Sequence, residues 1–374
     1  MAGGSLLESA PGPEVRIDGE MYLYFGGTSY LGLAGHPEVI EAGCAALRAY
    51  GVHSGTSRSG FGNSPPVQAV ESLAAKFFDT EAAFYFGSGY ASNHVLISLL
   101  RSEVDAVVVD QSSHFCVLEA APLARLPVIS FSSGDLEALS DRLKPYARVL
   151  LMADAVGPVT GALAPVRDYV SLLSQCESAY LMLDDAHGFG VLGADGRGLL
   201  DHLGLWCLVN GARPDGNVNL VVGGTLSKAL GGYGGIIPGT ESFVARARSA
   251  SHYFDGASAP AAAVAGSTAK ALEIVQGQPE LRQRLAANGR RLREGLVRLG
   301  WDVGEGITAN FCVSLESAAQ METIHLRLKQ ASILLPYIRS YSGIPEQGAL
   351  RFAVFANHTE EQIDRLLNEL ETLI

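Results

Sequence analysis

The chain has 374 residues, of which 48% are hydrophobic and 18% are charged, and its formal net charge is −12. This composition indicates a well-buried globular protein of about two domains and excludes an intrinsically disordered chain. The negative charge argues against nucleic acid or an anionic membrane surface as a partner, because their phosphates would repel the protein.

Short apolar segments alternate with helical patterns through the middle of the chain. Strands are predicted over residues 82–86, 105–110, 127–131, 148–152, 180–184, 219–224 and 234–238. Helices are predicted over residues 66–78, 91–101, 116–124, 135–145 and 166–177. This alternation predicts an α/β fold, with a mostly parallel seven-stranded sheet and helices on both faces.

The pattern changes after residue 258. A long helical stretch over 259–300, interrupted near Gly277 and Pro279, precedes strand candidates at 311–315 and 350–355 and helix candidates at 318–330 and 359–373. We therefore expect an N-terminal segment (1–50), a large domain (51–258) and a linking helix with a small α+β domain (259–374). The first fifty residues are expected to pack on the small domain or to wrap onto a partner subunit.

Several features predict what the chain does not contain. The five cysteines are irregularly spaced and include no CxxC pair, which argues against a disulfide framework and against a zinc site, so we expect no metal. The first twenty residues have no signal-peptide pattern, and no apolar run reaches the length of a membrane span. The expectation is a cytoplasmic protein without a membrane span.

Polar residues follow several predicted strands, at the edge where an open parallel sheet binds its ligands. The segment "GSGYASN" (87–93) places two glycines before a helix, a pattern typical of a phosphate site and also of a tight turn. Asp184 and His187 follow another strand and can face one ligand. They have no further metal ligands near them, and a capping Asp with a structural His is the alternative.

Lys228 is one of five lysines and lies alone in the uncharged run "GGTLSKALGGYGG" (223–235). A lysine in a dry, glycine-lined site has a lowered pKa and can form a Schiff base with an aldehyde. The alternative is a lysine at a helix start whose amine extends to solvent. A P-loop is excluded, because no GK[ST] follows the glycines.

Pyridoxal phosphate (PLP) is one ligand that accounts for all of these features. Its aldehyde suits Lys228, its phosphate suits the glycine-rich helix start, and Asp184 would keep its ring nitrogen protonated. His187 could hydrogen-bond the ring oxygen, and His114 could lie against the ring. Thr225, expected one helical turn before Lys228, could add a hydroxyl to the phosphate.

From about residue 22 to the C-terminus the chain resembles the α-oxoamine synthases, a PLP-dependent family of aminotransferase-like (fold type I) architecture. The segments that carry the resemblance are "YFGGTSYLGLAGHPEVIEA", "SGTSRSGFGNSPPVQAVESLAAKFF", "FGSGYASN", "DQSSH", "LDDAHGFGVLGADGRG", "GTLSKALGGYGG" and "LRFAVFANHTEEQIDRLL". Their shared order and spacing make the resemblance more specific than any single segment.

The resemblance implies a role for each site residue. It implies that Lys228 carries the cofactor, that Asp184 and His187 contact the ring nitrogen and ring oxygen, and that His114 stacks on the ring. The implied phosphate site is Ser88, Gly89, Tyr90 and Thr225, and the implied substrate-binding residues are Arg351 and Thr28. A homodimer is also implied, in which the segment "FDGASAP" (254–260) reaches the neighbouring active site.

The activity that the resemblance implies is a decarboxylating condensation of an amino acid with an acyl thioester. The acyl group of that thioester is attached to coenzyme A or to a carrier protein. The product is an α-aminoketone, and Lys228 is the general base. An aminotransferase, which would use the same Lys228, Asp184 and Arg351, is the alternative enzyme class. A non-catalytic PLP-binding protein is a third, weaker interpretation.

Four segments depart from the family pattern: Thr28-Ser29 replaces Asn-Asp, Pro158 replaces a serine, Val67 replaces a histidine, and Asp255 lies where a hydroxyl is usual. An additional segment, "LWCLVNGARPDGNVN" (205–219), lengthens the path from His187 to Lys228. The residues expected to bind the cofactor match the family pattern, whereas residues expected near the substrate and the phosphate differ from it. We therefore expect a specialised relative that acts on another amino acid or acyl donor than the biotin-pathway enzyme does.

Overall fold

The computed structural model describes residues 4–211 and 216–373, so part of the additional segment, residues 212–215, lies outside the description. Within the described residues the strands are β1 Glu14–Ile17, β2 Glu20–Tyr24, β3 Ala82–Phe86, β4 Ala106–Asp110, β5 Val128–Phe131, β6 Arg148–Asp154, β7 Ser178–Asp184, β8 Val218–Thr225, β9 Gly235–Gly239, β10 Asn310–Val313, β11 Ile333–Leu334, β12 Tyr337–Ile338 and β13 Ala349–Ala353. The α-helices there are α1 Pro37–Tyr50, α2 Pro65–Phe78, α3 Ser92–Leu100, α4 Phe115–Ala120, α5 Leu136–Leu143, α6 Val166–Leu173, α7 Leu199–His202, α8 Glu241–Ala250, α9 Ala262–Gly277, α10 Glu280–Arg298, α11 Ala318–Gln330 and α12 Glu360–Glu371.

A seven-stranded sheet of order β3-β9-β8-β7-β6-β4-β5 organises the large part of the described chain. Strands β8, β7, β6, β4 and β5 pair in parallel, while β9 runs antiparallel to both of its neighbours. All seven strands coincide with the apolar segments predicted from the sequence, so the mostly parallel fold is confirmed. The carboxyl ends of β4, β6, β7 and β8 consequently meet at one edge.

The strands are apolar on both sides because both faces of the sheet are covered. In β6, Val149 and Leu151 face one core, which includes α2, α6 and α9, while Leu150 and Met152 face a second core, which includes α3 and α8. Side chains that alternate along a strand point to opposite faces. A strand with two covered faces therefore appears in the sequence as a continuous apolar run.

A third core lies in the C-terminal part of the chain. The antiparallel sheet β10-β13-β12 contributes Phe311 and Phe352, whose stacked rings have centroids 5.1 Å apart. The N-terminal strand β2 pairs in parallel with β11 and adds Leu23 to the same core. The N-terminal segment thus packs on the C-terminal part of its own chain, while the domain bounds drawn from the sequence stay a prediction.

The long helical stretch predicted over 259–300 consists of two helices, α9 and α10, separated at Gln278 and Pro279. The break agrees with the interruption expected from the sequence, since proline lacks the backbone N–H that a continuous helix needs. Among the helices within residues 4–211 and 216–373, none combines the length and the apolar character needed to cross a membrane.

Candidate active site

A cavity of about 250 Å³ lies beyond the carboxyl ends of β3, β4, β6, β7 and β8. Its lining residues are Ser88, Gly89, Tyr90, His114, Cys116, Asp154, Asp184, Ala186, His187, Thr225, Ser227, Lys228, Tyr233 and Gly234. All eight residues that the sequence predicted for the cofactor site belong to this lining. The sheet order brings them together, because they lie at or just after the carboxyl ends of β3, β4, β7 and β8, which meet at the same edge.

One end of the cavity has the character of a phosphate site. Ser88 precedes a single 3₁₀ turn, Gly89–Ala91, that runs directly into α3, and the hydroxyls of Thr225 and Ser227 lie 2.7 Å apart opposite this turn. A Cβ on Gly89 would lie 2.5 Å from the Thr225 Cβ, so a side chain there would push the two segments apart. Backbone N–H groups at a helix start and two hydroxyls together fit a bound phosphate.

Asp184, the last residue of β7, is 6% exposed. Asn93 Nδ2 donates to its Oδ2 at 2.8 Å, and the backbone N–H of Ala186 donates to its Oδ1 at 3.0 Å. The Cys116 thiol lies 3.5 Å from Oδ2. No salt bridge to Asp184 occurs within the described chain, and a buried carboxylate without a cation is unfavourable. Its surroundings therefore fit a cationic group such as a protonated pyridine nitrogen.

Lys228 lies in a turn after β8 and not in a helix, which corrects the expected spacing of one helical turn from Thr225. The turn forms because the chain reverses direction there to enter β9. Burial lowers the pKa of Lys228, while the carboxylates of Asp184 and Asp154 oppose that shift. Among the described residues its amine forms neither a hydrogen bond nor an ion pair. A lysine with these properties is suited to attack an aldehyde.

The two histidines at the cavity both have pKa values that are lowered from the usual value. His187 is buried, with its Nδ1 2.7 Å from the Tyr30 hydroxyl. Burial, reinforced by the charge of Lys228, lowers its pKa well below the usual value. The Nδ1 of His114 accepts a hydrogen bond from the backbone N–H of Cys116 at 3.1 Å, and burial lowers its pKa as well. Neutral imidazoles can hydrogen-bond or stack on a ring without adding positive charge.

The structure adds site residues that the sequence did not single out. Asn93 and Asp154 lie within segments that follow predicted strands, "GSGYASN" and "ADAVGP", so their position was the available signal. Asp154 accepts a hydrogen bond from the backbone N–H of His114 at 2.7 Å, and burial together with the charge of Asp184 raises its pKa. The contact of Tyr30 with His187 could not be predicted from local sequence, because the two residues are 157 positions apart.

The two predicted substrate-binding residues lie outside the cavity lining. Arg351, on β13, is buried and donates from Nε to the Pro158 carbonyl at 3.3 Å and from Nη1 to the Gly27 carbonyl at 3.2 Å. Thr28 is the next residue after Gly27. The guanidinium therefore contacts the backbone of two of the segments that depart from the family pattern. Its charge also contributes to the lowered pKa of His187 and of Lys228.

Comparisons with known proteins agree with this geometry. The family model described as "Aminotransferase class I and II" matches residues 21–370. The 8-amino-7-oxononanoate synthase 1 of Polaromonas sp. is 33% identical over 370 residues, which cover 97% of this chain and 89% of that protein. The 8-amino-7-oxononanoate synthase of Paracidovorax citrulli is 35% identical over 372 residues, which cover 96% of this chain and 87% of the relative.

Solved structures of serine palmitoyltransferases have the same fold. The enzyme from Sphingomonas wittichii superimposes with a TM-score of 0.89 at 26% identity and covers 99% of this chain and 91% of its own. The enzyme from S. paucimobilis, solved with a PLP–myriocin aldimine, gives a TM-score of 0.88 at 25% identity, with 99% and 92% covered. The chain belongs to the aminotransferase class I and II family and, within it, to the α-oxoamine synthases, PLP-dependent enzymes that condense an amino acid with an acyl thioester and release carbon dioxide.

Proposed function

We propose that the cavity described above carries out this decarboxylating condensation, with Lys228 both holding the cofactor and moving the substrate's α-proton. The observation that supports this assignment is the placement of Lys228 and Asp184 in one cavity. Neither of them forms an ion pair within residues 4–211 and 216–373. The two groups therefore face the space that a charged, aldehyde-bearing cofactor would fill.

When bound, PLP supplies an aldehyde and a pyridine ring that withdraws electrons from the substrate's α-carbon. In this proposal Asp184 holds the proton on the ring nitrogen, and its own orientation is set by Asn93 and the Ala186 N–H. His187 donates to or accepts from the ring oxygen, with Tyr30 fixing the imidazole. His114 packs against the face of the ring.

The phosphate is assigned to the glycine-rich turn. Ser88, Gly89, Tyr90 and Thr225 line the cavity, and the backbone N–H groups of Gly89 and Tyr90 with the hydroxyls of Ser88 and Thr225 would hold the phosphate. The start of α3 adds a favourable dipole for an anion. This anchoring would orient the cofactor, so that Lys228 reaches the aldehyde.

Lys228 acts as the general base in this proposal. Because burial lowers its pKa, a larger fraction of the amine is neutral at physiological pH than for a solvent-exposed lysine. Arg351 binds the substrate carboxylate, with Thr28 beside it, since a guanidinium pairs well with a carboxylate. The carbonyls of Gly27 and Pro158 would set the direction of that guanidinium.

The choice of amino acid and acyl donor is proposed to differ from that of the 8-amino-7-oxononanoate synthases. The departures at Thr28 and Pro158 lie next to Arg351 or in contact with it, whereas the cofactor residues keep the family pattern. We also propose a homodimer with shared active sites, in the cytoplasm, as expected from the sequence. A panel of amino acids tested against acyl thioesters on coenzyme A and on a carrier protein would identify the substrates.

The reaction type is tested with a carboxyl-labelled amino acid, incubated with and without an acyl thioester. We expect release of labelled carbon dioxide and formation of an α-aminoketone only when the thioester is present. Lys228→Ala should lose nearly all turnover, and borohydride reduction of the parent should place the pyridoxyl group on Lys228 in a peptide map. Conversion of the cofactor to its amine form by amino acid alone, reversed by an oxo acid, would establish an aminotransferase instead.

A further inference from the structure

A second cavity, of about 240 Å³, lies along one face of α10. Arg282, Ala286, Gly289 and Arg293 follow one another at intervals of three or four residues, so they share a face of the helix, and Arg290 lies next to Gly289. The small residues Ala286 and Gly289 leave space between the arginine side chains. Residues 306–309 and Val191 form the other walls. This lining has no residue in common with the cofactor cavity.

Arg293 is 8% exposed yet has no acidic partner within the part of the chain that the structure describes. Its Nη1 donates to the Val303 carbonyl at 3.1 Å and its Nη2 to the Thr308 carbonyl at 3.2 Å. The Phe311 ring centroid lies 3.9 Å from its Cζ. These contacts hold the guanidinium in place but supply no negative charge, and a buried charge without a counter-charge is costly.

The other two arginines of this cavity also form no salt bridge in the described structure. Arg282 donates to the Ala194 carbonyl at 3.0 Å, and Arg290 is exposed and makes neither a hydrogen bond nor an ion pair there. Arg291, on another face of α10, pairs with Glu360 at 2.9 Å and Asp364 at 2.7 Å. Glu360 and Asp364 thus pair with α10 outside the cavity, and the lining of the cavity includes one acid, Glu294.

We propose that this cavity binds a dianionic phosphate group, in the form of a phosphate monoester. Three guanidinium groups and the carboxylate of Glu294 line the cavity, which leaves a formal charge of +2 to be balanced. Guanidinium groups bind phosphate oxygens through paired, charge-assisted hydrogen bonds. Arg282 also holds Ala194, in the loop that follows His187, so a ligand here would brace that loop against α10.

The test is calorimetric titration of the holoenzyme with inorganic phosphate. Arg290→Gln should weaken phosphate binding by about tenfold or more, because it removes a charged hydrogen-bond donor. The matched control is Arg284→Gln, an exposed arginine on the same helix but outside the cavity, which should bind phosphate like the parent. Because Arg290 makes neither a hydrogen bond nor an ion pair within residues 4–211 and 216–373, its replacement should leave the cofactor absorbance and the melting temperature unchanged.

Equal phosphate affinity in Arg290→Gln and in the parent, or no measurable binding to the parent, would overturn the proposal. Tighter binding of succinate than of phosphate would overturn the assignment to a phosphate group. A competition with coenzyme A distinguishes two sources of the same group. Displacement of phosphate by coenzyme A but not by its dephospho form supports a site for the acyl donor's phosphate, which rests on the proposed function. No displacement by either supports a free phosphate monoester.

Discussion

At the scale of single residues, a substitution of Asp184 tests whether its negative charge is needed for the chemistry of the cofactor. Asp184→Asn is nearly the same size, but an amide carries no negative charge to hold a proton on a ring nitrogen. We expect kcat to fall by on the order of a hundredfold or more, which corresponds to the loss of several kcal/mol of transition-state stabilisation. Steady-state kinetics measure the loss, and an unchanged unfolding midpoint shows that the fold is retained. A rate within about twofold of the parent would contradict the assigned role.

The burial of His358 should make the stability of the fold depend on pH. It is buried between the rings of Phe25 and Phe355, its Nδ1 accepts from the Phe355 N–H at 3.0 Å, and its Nε2 lies 3.1 Å from the Tyr24 carbonyl. Burial lowers its pKa from 6.5 to about 4. Below the unfolded-state pKa the unfolded chain therefore binds the additional proton, so stability falls as the pH falls towards about 4.

When the pH is lowered from about 7 to about 5, protonation of His358 in the unfolded chain should reduce the free energy of unfolding by about 2 kcal/mol. His358→Gln, which keeps a donor and an acceptor but does not titrate, should remove that part of the pH dependence. Urea unfolding at the two pH values measures it, and His202→Gln, at an exposed histidine, is the control that should keep the parent's slope. An unchanged slope in His358→Gln would assign the acid sensitivity to other groups.

At the scale of elements, the turn between β3 and α3 depends on Gly89. Its replacement by alanine would place a Cβ 2.5 Å from the Thr225 Cβ, so the turn and the end of β8 must separate. We expect Gly89→Ala to weaken PLP binding by about tenfold or more. The overpacking costs at least about 1 kcal/mol and displaces the hydrogen-bond donors that would hold the PLP phosphate.

Gly87→Ala, two residues earlier, is the matched control, because a Cβ there would meet nothing within 4 Å. Spectral titration of the apoprotein with PLP measures both affinities. Similar affinities in the two variants would show that close contact at Gly89 is not needed for the phosphate site.

At the scale of the whole molecule, the proposed homodimer can be tested through exposed aromatic side chains. Phe61 is fully exposed in the turn Arg58–Gly62, whose Arg58 guanidinium lies 5.1 Å from the Phe254 ring centroid. Phe254 begins the segment predicted to reach a neighbouring active site. Tyr90 and Tyr233, which line the cavity, are also exposed. Large exposed apolar side chains are typical of a protein–protein interface when they form a contiguous patch.

We therefore expect light scattering at assay concentration to give twice the mass of the 39.4 kDa chain. Phe61→Glu should shift the population towards monomer and lower activity in parallel, because a charge would have to be buried between the subunits. Val52→Glu, at another exposed apolar residue, tests how far this surface extends. A stable monomer with full activity would contradict the shared active site.

The sequence by itself determined the elements of the large sheet and the chemistry at its edge. The seven strands could be predicted because each is buried on both faces, and a strand buried on both faces is a short run of consecutive apolar residues. Lys228 and the glycines of residues 87–89 stood out because a lone charge and repeated glycines are unusual in any segment. Their spacing relative to other motifs then indicated the family.

Only the tertiary structure decided which groups meet. Asp184 accepts a hydrogen bond from Asn93, 91 residues away, and His187 contacts Tyr30, 157 residues away. The expected helical spacing of Thr225 and Lys228 failed because the need to turn into an antiparallel β9 overrides the local pattern. Sheet order and the packing of α10 against residues 306–309 depend on contacts between distant segments. Local periodicity carries no record of those contacts, so they follow from the complete fold.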